Sequence, residues 1–323
     1  MGGWRRMRGP AFADEVLMRV FPLLAVAVLF FGCGARSGRV KPEGPESTVA
    51  VPDDAELRRV QTRAKYLFDA ERAAIFATDR LLIQDALDRS RMEWFFTVPR
   101  EDGWYALFGT LDDAGTFTPA YAFKAPRDDA EQMAPLPLNE LPGDFSPVAR
   151  AVKTSMLATV EAFERGTINP VVFVEEDGDL TVYVLQGTRD PMRFYLGGDI
   201  RFRYGPDGRT QREAVRLHQN VFAISLEPGP EGELYQGSAH SHVLFGGPLE
   251  TELATLMLYP ELGALTVIHA ASRIAYFLTP DGAIRVLSEA PERQRMLKPD
   301  GTFGPLDMEE EAAPPPPSGQ VDL

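Results

Sequence analysis

The four histidines of the 323-residue chain, His218, His240, His242 and His269, all fall in its last third. Two of them stand in Ser238-Ala239-His240-Ser241-His242-Val243, ahead of Phe245-Gly246-Gly247-Pro248 and a helical pattern with Glu250 and Glu252 in its first turn. On a strand, side chains two residues apart project from the same face, so both imidazoles could reach one divalent ion. A carboxylate from the helix start would add a third ligand and leave a position open for water, as catalytic zinc sites do. The plainer assignment makes His240 and His242 half-buried strand residues bonded to backbone or water, with Glu250 and Glu252 complementing a helix N-terminus. The sequence favours that assignment, in which no cofactor is expected; zinc belongs to the other. His218, ahead of Asn220 and a strand, and His269, closing Leu265-Thr266-Val267-Ile268, read as ordinary sheet residues.

The order His240-x-His242 followed by an acid on the next helix resembles the motif of JAMM-type metalloproteases, over His240 to Glu252 only. The resemblance implies a metal-dependent hydrolase with His240, His242 and Glu252 as ligands. This chain carries Val243 where that family has proline and lacks the serine ahead of the acid. Its second histidine and acid are ten residues apart, one short of the family's separation, and the family's upstream general base could be matched only by position, to Glu175 or Glu176. Other chemistry finds little support. Ser241 sits on no Gly-x-Ser-x-Gly elbow, and Gly197-Gly198-Asp199 and Gly246-Gly247-Pro248 lack the spacing and lysine of a phosphate loop, so both read as turns or bulges. The aromatic run Trp94, Phe95, Phe96, Trp104 and Tyr105 reads as core.

The one cysteine, Cys33, excludes an intramolecular disulfide and any site built from several thiolates. It follows Met18-Arg19, the apolar run Val20 to Phe31, and Gly32, the layout of an export signal too short to span a bilayer. Phe30-Phe31-Gly32-Cys33 resembles the lipobox of bacterial lipoproteins, which implies cleavage before Cys33 and acylation of its thiol, palmitate being among the chains carried. Two or three acyl chains hold a protein to a bilayer where one binds only reversibly. Gly34 lacks the aspartate that retains such proteins at the inner membrane, so the resemblance implies an outer-membrane anchor facing the periplasm. Asp14 and Glu15 are foreign to a basic leader, and Met18 is the expected start.

Formal charge is −14 and the pI about 4.8, which sets the long-range field against nucleic acid and anionic headgroups. Residues 1–32 carry Arg5, Arg6, Arg8 and Arg19 against Asp14 and Glu15, so their removal makes the body two charges more negative. With 44% hydrophobic residues the chain fills a real core.

The elements that must hold these residues follow from periodicity. Residues 33–53 are a Pro-, Gly- and Ser-bearing tether, and 306–323 an acidic, proline-rich tail that cannot bury apolar area. Asp54 is placed to cap a helix striped by Leu57, Val60, Ala64, Leu67, Ala74 and Ile75, within a helix pair reaching about Arg89. Met92 to Val98 and Trp104 to Thr110 predict a hairpin, and Thr116 to Phe123 a further strand that Pro119 pushes toward an edge. Ala125 to Gly143 reads as a loop and domain boundary, dividing 54–143 from an α+β domain over 144–305. In that domain Ser146-Pro147 starts a helix striped by Val148, Val152, Met156, Val160 and Phe163 and stopped at Gly166. Strands follow over 171–174, 180–185 and 194–204, with a helix near 249–258. Pro-Asp-Gly at Pro206, Pro280 and Pro299 marks three reversals. The fold class is α+β, mainly antiparallel sheet with a few packing helices.

Two functions remain. The first is a non-catalytic, lipid-anchored envelope protein whose partners are the membrane and an unidentified protein or small molecule. The second is the metal-dependent hydrolase.

Overall fold

The computed structural model describes residues 50–84, 87–228, 237–242 and 244–306. The leader, Cys33, the tether up to 49 and the tail from 307 lie outside them. The chain divides into two units, the first holding residues 66–228 of the described chain and the second 51–65 and 237–306. The fold is α+β: three α-helices and three mostly antiparallel sheets among the described residues. No described helix is long and apolar enough to cross a membrane.

Helix α1, Asp54–Leu82, belongs to the second unit through residue 65 and to the first from residue 66. It is one continuous helix where the sequence predicted a pair, because no glycine or proline interrupts 54–82. Asp53 caps it, its Oδ1 accepting from the Glu56 amide at 2.8 Å, whereas Asp54, the expected cap, pairs with Arg295 at 2.6 Å. The stripe runs through Leu57, Val60, Ala64, Leu67, Ala70, Ala73, Ala77 and Leu81; Ile75 falls off it and is 41% exposed.

In the first unit, β1 (Trp94–Arg100) and β2 (Gly103–Leu111) form the predicted hairpin, closed by Arg100↔Gly103. Strand β3 (Phe117–Ala125) pairs with β2, and the two-residue β4 (Ala134–Pro135) covers it only at Phe123 and Lys124. Pro119 therefore lies on an uncovered stretch, beside a register shift after Phe108, where its missing N–H breaks no ladder. Helix α2 (Ser146–Phe163) packs Val148, Ala149, Ala151 and Val152 on the sheet. Asp144 rather than Ser146 takes the capping role: its Oδ1 accepts from the Ser146 amide, while the Ser146 hydroxyl accepts from the Phe117 amide. The helix ends at Glu164, which holds a left-handed φ of 53°, two residues before the predicted stop at Gly166.

The remaining strands of this unit are β5 (Ile168–Val174), β6 (Leu180–Gln186), β7 (Arg193–Gly197), β8 (Ile200–Tyr204), β9 (Gln211–Arg216) and β10 (Val221–Ser225). One sheet runs β4-β3-β2-β1-β5-β6-β8-β9, and β10-β7 is a separate ribbon. Because β1 pairs with β5 through Thr97↔Val171, the boundary expected at 143 falls inside a single sheet and is corrected here. The predicted strand 194–204 is broken by Gly197 and Gly198, whose positive φ values of 78° and 66° turn the chain from the ribbon into the large sheet.

The second unit holds β11 (Gly237–Ser241), α3 (Glu250–Leu258), β12 (Ala264–His269), β13 (Ile274–Leu278), β14 (Ile284–Ser288), β15 (Arg295–Leu297) and β16 (Phe303–Gly304). They form one sheet in sequence order, antiparallel except for β11 and β12, which α3 joins as a parallel crossover. The first turns of α1 are fixed to this sheet by Gln61, whose amide donates to the Gly282 and Lys298 carbonyls at 2.8 Å each. All three Pro-Asp-Gly segments lie between paired antiparallel strands, as expected: β8 and β9, β13 and β14, β15 and β16.

Candidate metal centre

Strand β11 is an edge strand in register with β12, His240 opposite Val267 and Ser241 opposite Ile268. The His242 amide donates to the Ile268 carbonyl at 3.0 Å, which carries the ladder one residue past the strand. Leu265, Val267 and His269 are buried on β12 and Ile268 is exposed, so the face shared with Ser238, His240 and His242 is the packed one. The spacing of two thus does what the sequence required of it, and the two rings lie with centroids 5.0 Å apart.

Beyond His242 the chain reverses through Gly246-Gly247-Pro248. That turn returns the Gly247 carbonyl to 2.7 Å from His242 Nδ1. A carbonyl only accepts, so Nδ1 carries a proton and donates it, which leaves Nε2 aimed toward Glu252. Helix α3 then begins, with Glu252 in its first turn, fully buried. Its Oε2 accepts from the Leu249 amide at 2.8 Å, which satisfies one free donor of the helix N-terminus. Its Oε1 lies 2.6 Å from His240 Nε2 and 3.1 Å from His242 Nε2, and the two Nε2 atoms are 3.0 Å apart. These three side chains belong to a cluster whose ligand atoms lie close enough together to hold a metal ion.

Sequence reading assigned Glu252 either to a metal or to the helix terminus; its Oε2 serves the helix terminus, and its Oε1 faces the two imidazoles. His242 is buried rather than half-buried, and its partners include a backbone carbonyl and the His240 and Glu252 side chains. Phe245 covers its ring at 6.3 Å in an edge-on arrangement. Glu250 is also buried but offers no ligand atom to this group. Composition and spacing could not reveal the Gly247 carbonyl, since every residue has one; the only signal was a Gly-Gly-Pro reversal between the histidines and the helix.

No family model, curated protein or solved structure matches this chain.

The remaining candidates have local partners as well. His269 closes β12, buried, with Nδ1 2.7 Å from the Ser272 hydroxyl. In the first unit His218 lies between β9 and β10 rather than in a strand, buried, with Nδ1 2.6 Å from Asp199 Oδ1. The sequence read Asp199 as part of a turn and missed this pair. Glu175, matched by position to a general base, accepts from the Thr181 hydroxyl at 2.5 Å within the β5–β6 turn of that unit. Of the aromatic run, Phe96, Trp104 and Tyr105 are core residues, as expected.

Proposed function

We propose that this chain is a metal-dependent hydrolase of the cell envelope, lipid-anchored through Cys33, with zinc held by His240, His242 and Glu252. The observation that carries the reading is the convergence of two imidazole Nε2 atoms and one fully buried carboxylate oxygen, at mutual distances of 2.6, 3.0 and 3.1 Å. Where Nε2 of His242 is unprotonated, its lone pair and the Glu252 oxygen repel one another, and a cation among the three groups would relieve a contact that desolvation makes costly. Both also have the outer partners that metal ligands keep: a carbonyl on His242 Nδ1 and an amide on Glu252 Oε2.

The dimensions fit. Tetrahedral zinc with bonds of about 2.0–2.1 Å separates its ligand atoms by about 3.3 Å, so the three side chains need to open by about 0.7 Å at most. Two imidazoles and one carboxylate would hold zinc, which would lower the pKa of a bound water to about 7 and so supply a nucleophile. The chain's own contribution is positional: Gly247 fixes the tautomer and tilt of His242, and the helix start fixes Glu252.

Hydrolysis of p-nitrophenyl acetate by the detergent-solubilised full chain tests the activity. The expected rate is abolished by a chelator, restored by zinc and lost in His242→Ala; a rate indifferent to chelator overturns the hydrolase. A non-catalytic envelope protein is favoured by one observation, the 2.6 Å separation of His240 Nε2 and Glu252 Oε1. That is the length of a charge-assisted hydrogen bond, in which an Nε2–H of His240 donates to the carboxylate and ties the edge strand to the helix.

A further inference from the structure

The carbonyl that holds His242 is itself held, and by Pro52, just ahead of α1. Gly247 sits against the Pro52 ring so closely that a Cβ built on it would meet Pro52 Cγ at 2.4 Å and Cδ at 3.0 Å. Pro52 is not a loose terminus. The next residue, Asp53, caps α1 through the Glu56 amide, and Asp54 is paired with Arg295 of β15. Gln61, two turns on, bonds the Gly282 and Lys298 carbonyls of the same sheet. The ring that presses on Gly247 is therefore fixed to the sheet that carries His240 and His242, and all these residues belong to the second unit.

We propose that Pro52 is a positioning residue for the metal centre, acting through Gly247 on His242, so that the residues leading into α1 are coupled to metal affinity. The inference rests on the zinc reading above and adds its regulation. Physically the chain of contact is short. Pro52 fixes where the Gly247 backbone lies, the Gly247 carbonyl orients the imidazole, and the imidazole presents Nε2. Outer partners of this kind change metal affinity by about 10–100-fold when lost. Proline suits the position because its ring is stiff and its φ preset, so it transmits displacement where a flexible side chain would absorb it.

A double-mutant cycle on zinc affinity tests this, using competition with a chromophoric zinc indicator on the full chain in detergent. Gly247→Ala places a methyl group into the Pro52 ring and is expected to weaken zinc at least tenfold. Pro52→Gly removes the ring, so the double variant has room for the methyl and is expected to bind zinc more tightly than Gly247→Ala alone. Such recovery is a coupling that two independent losses of structure do not produce. Wild-type affinity in Gly247→Ala, or a double variant as weak as the sum of the singles, overturns the proposal while leaving the zinc centre standing. Failure of the wild-type chain to bind zinc overturns the centre itself, and the two failures are distinguished by that one control.

Discussion

Glu71→Gln should stabilise the protein above neutral pH and leave it unchanged in acid. Glu71 lies on α1 in the first unit, 5% exposed. Its Oε2 accepts from the Asn169 side-chain amide at 3.1 Å, and its Oε1 has no hydrogen-bond partner. Burial pushes its pKa up from an ordinary 4.5 to about 7, against a smaller downward pull from Asn169. A carboxyl group whose folded pKa is raised binds its proton more tightly in the folded state. Stability is therefore full below about pH 4.5, falls as pH rises through the window from 4.5 to 7, and carries the whole penalty above it. At 1.36 kcal/mol per pH unit that penalty is about 3 kcal/mol. Glutamine keeps the acceptor for Asn169 and cannot ionise, so the variant should lose this slope. Urea unfolding of the full chain followed by tryptophan fluorescence reads it directly, since Trp94 and Trp104 lie in the same unit. Equal stabilities at pH 4.5 and a gap approaching 3 kcal/mol at pH 8 are expected. Parallel curves across this range would refute a neutral buried Glu71.

Other outcomes follow from the same coordinates. Glu252→Ala leaves two facing imidazoles and an open helix amide inside the second unit, and is expected to cost about 3–5 kcal/mol in chemical unfolding at neutral pH. Asp53→Ala should cost about 1 kcal/mol through loss of the α1 cap, and more than Asp54→Ala, whose pair with Arg295 is half exposed. On the same helix Leu67→Ala should cost about 2–5 kcal/mol and Ile75→Ala less than about 0.5 in thermal melts, a reversal of what equal membership of one stripe would give. Radiolabelled fatty acid should enter the expressed protein and be absent from Cys33→Ser; equal labelling of both would remove the anchor.

Much of the fold was legible because it was written in periodicity and turn chemistry. The β1–β2 hairpin, the three Pro-Asp-Gly reversals and the helix after Pro248 depend on neighbours in sequence, and local rules found them. What depends on distant residues was less visible. Nothing near Gly143 says that β1 pairs with β5, and nothing near Asp144 says that Phe117 will occupy the Ser146 hydroxyl. Ile75 satisfied the spacing of a stripe, yet alanines at 70, 73 and 77 turned the buried face away from it. In the candidate centre, spacing alone put His240 and His242 on one face, whereas the choice of Glu252 over Glu250 came from the resemblance and not from the helix start, which offers both acids. The residues that hold them, Gly247 and Pro52, carry no chemical signature and gain their role only from where the fold places them.

Metal binding by three side chains of the second unit underlies the proposed function. Inductively coupled plasma mass spectrometry on the full chain, purified without chelator and dialysed against trace zinc, measures it most directly. One zinc per chain in the wild type, with none retained by His242→Ala or Glu252→Gln, is the predicted result. A folded wild-type protein that retains no metal, or variants that retain as much as the wild type, would contradict the account.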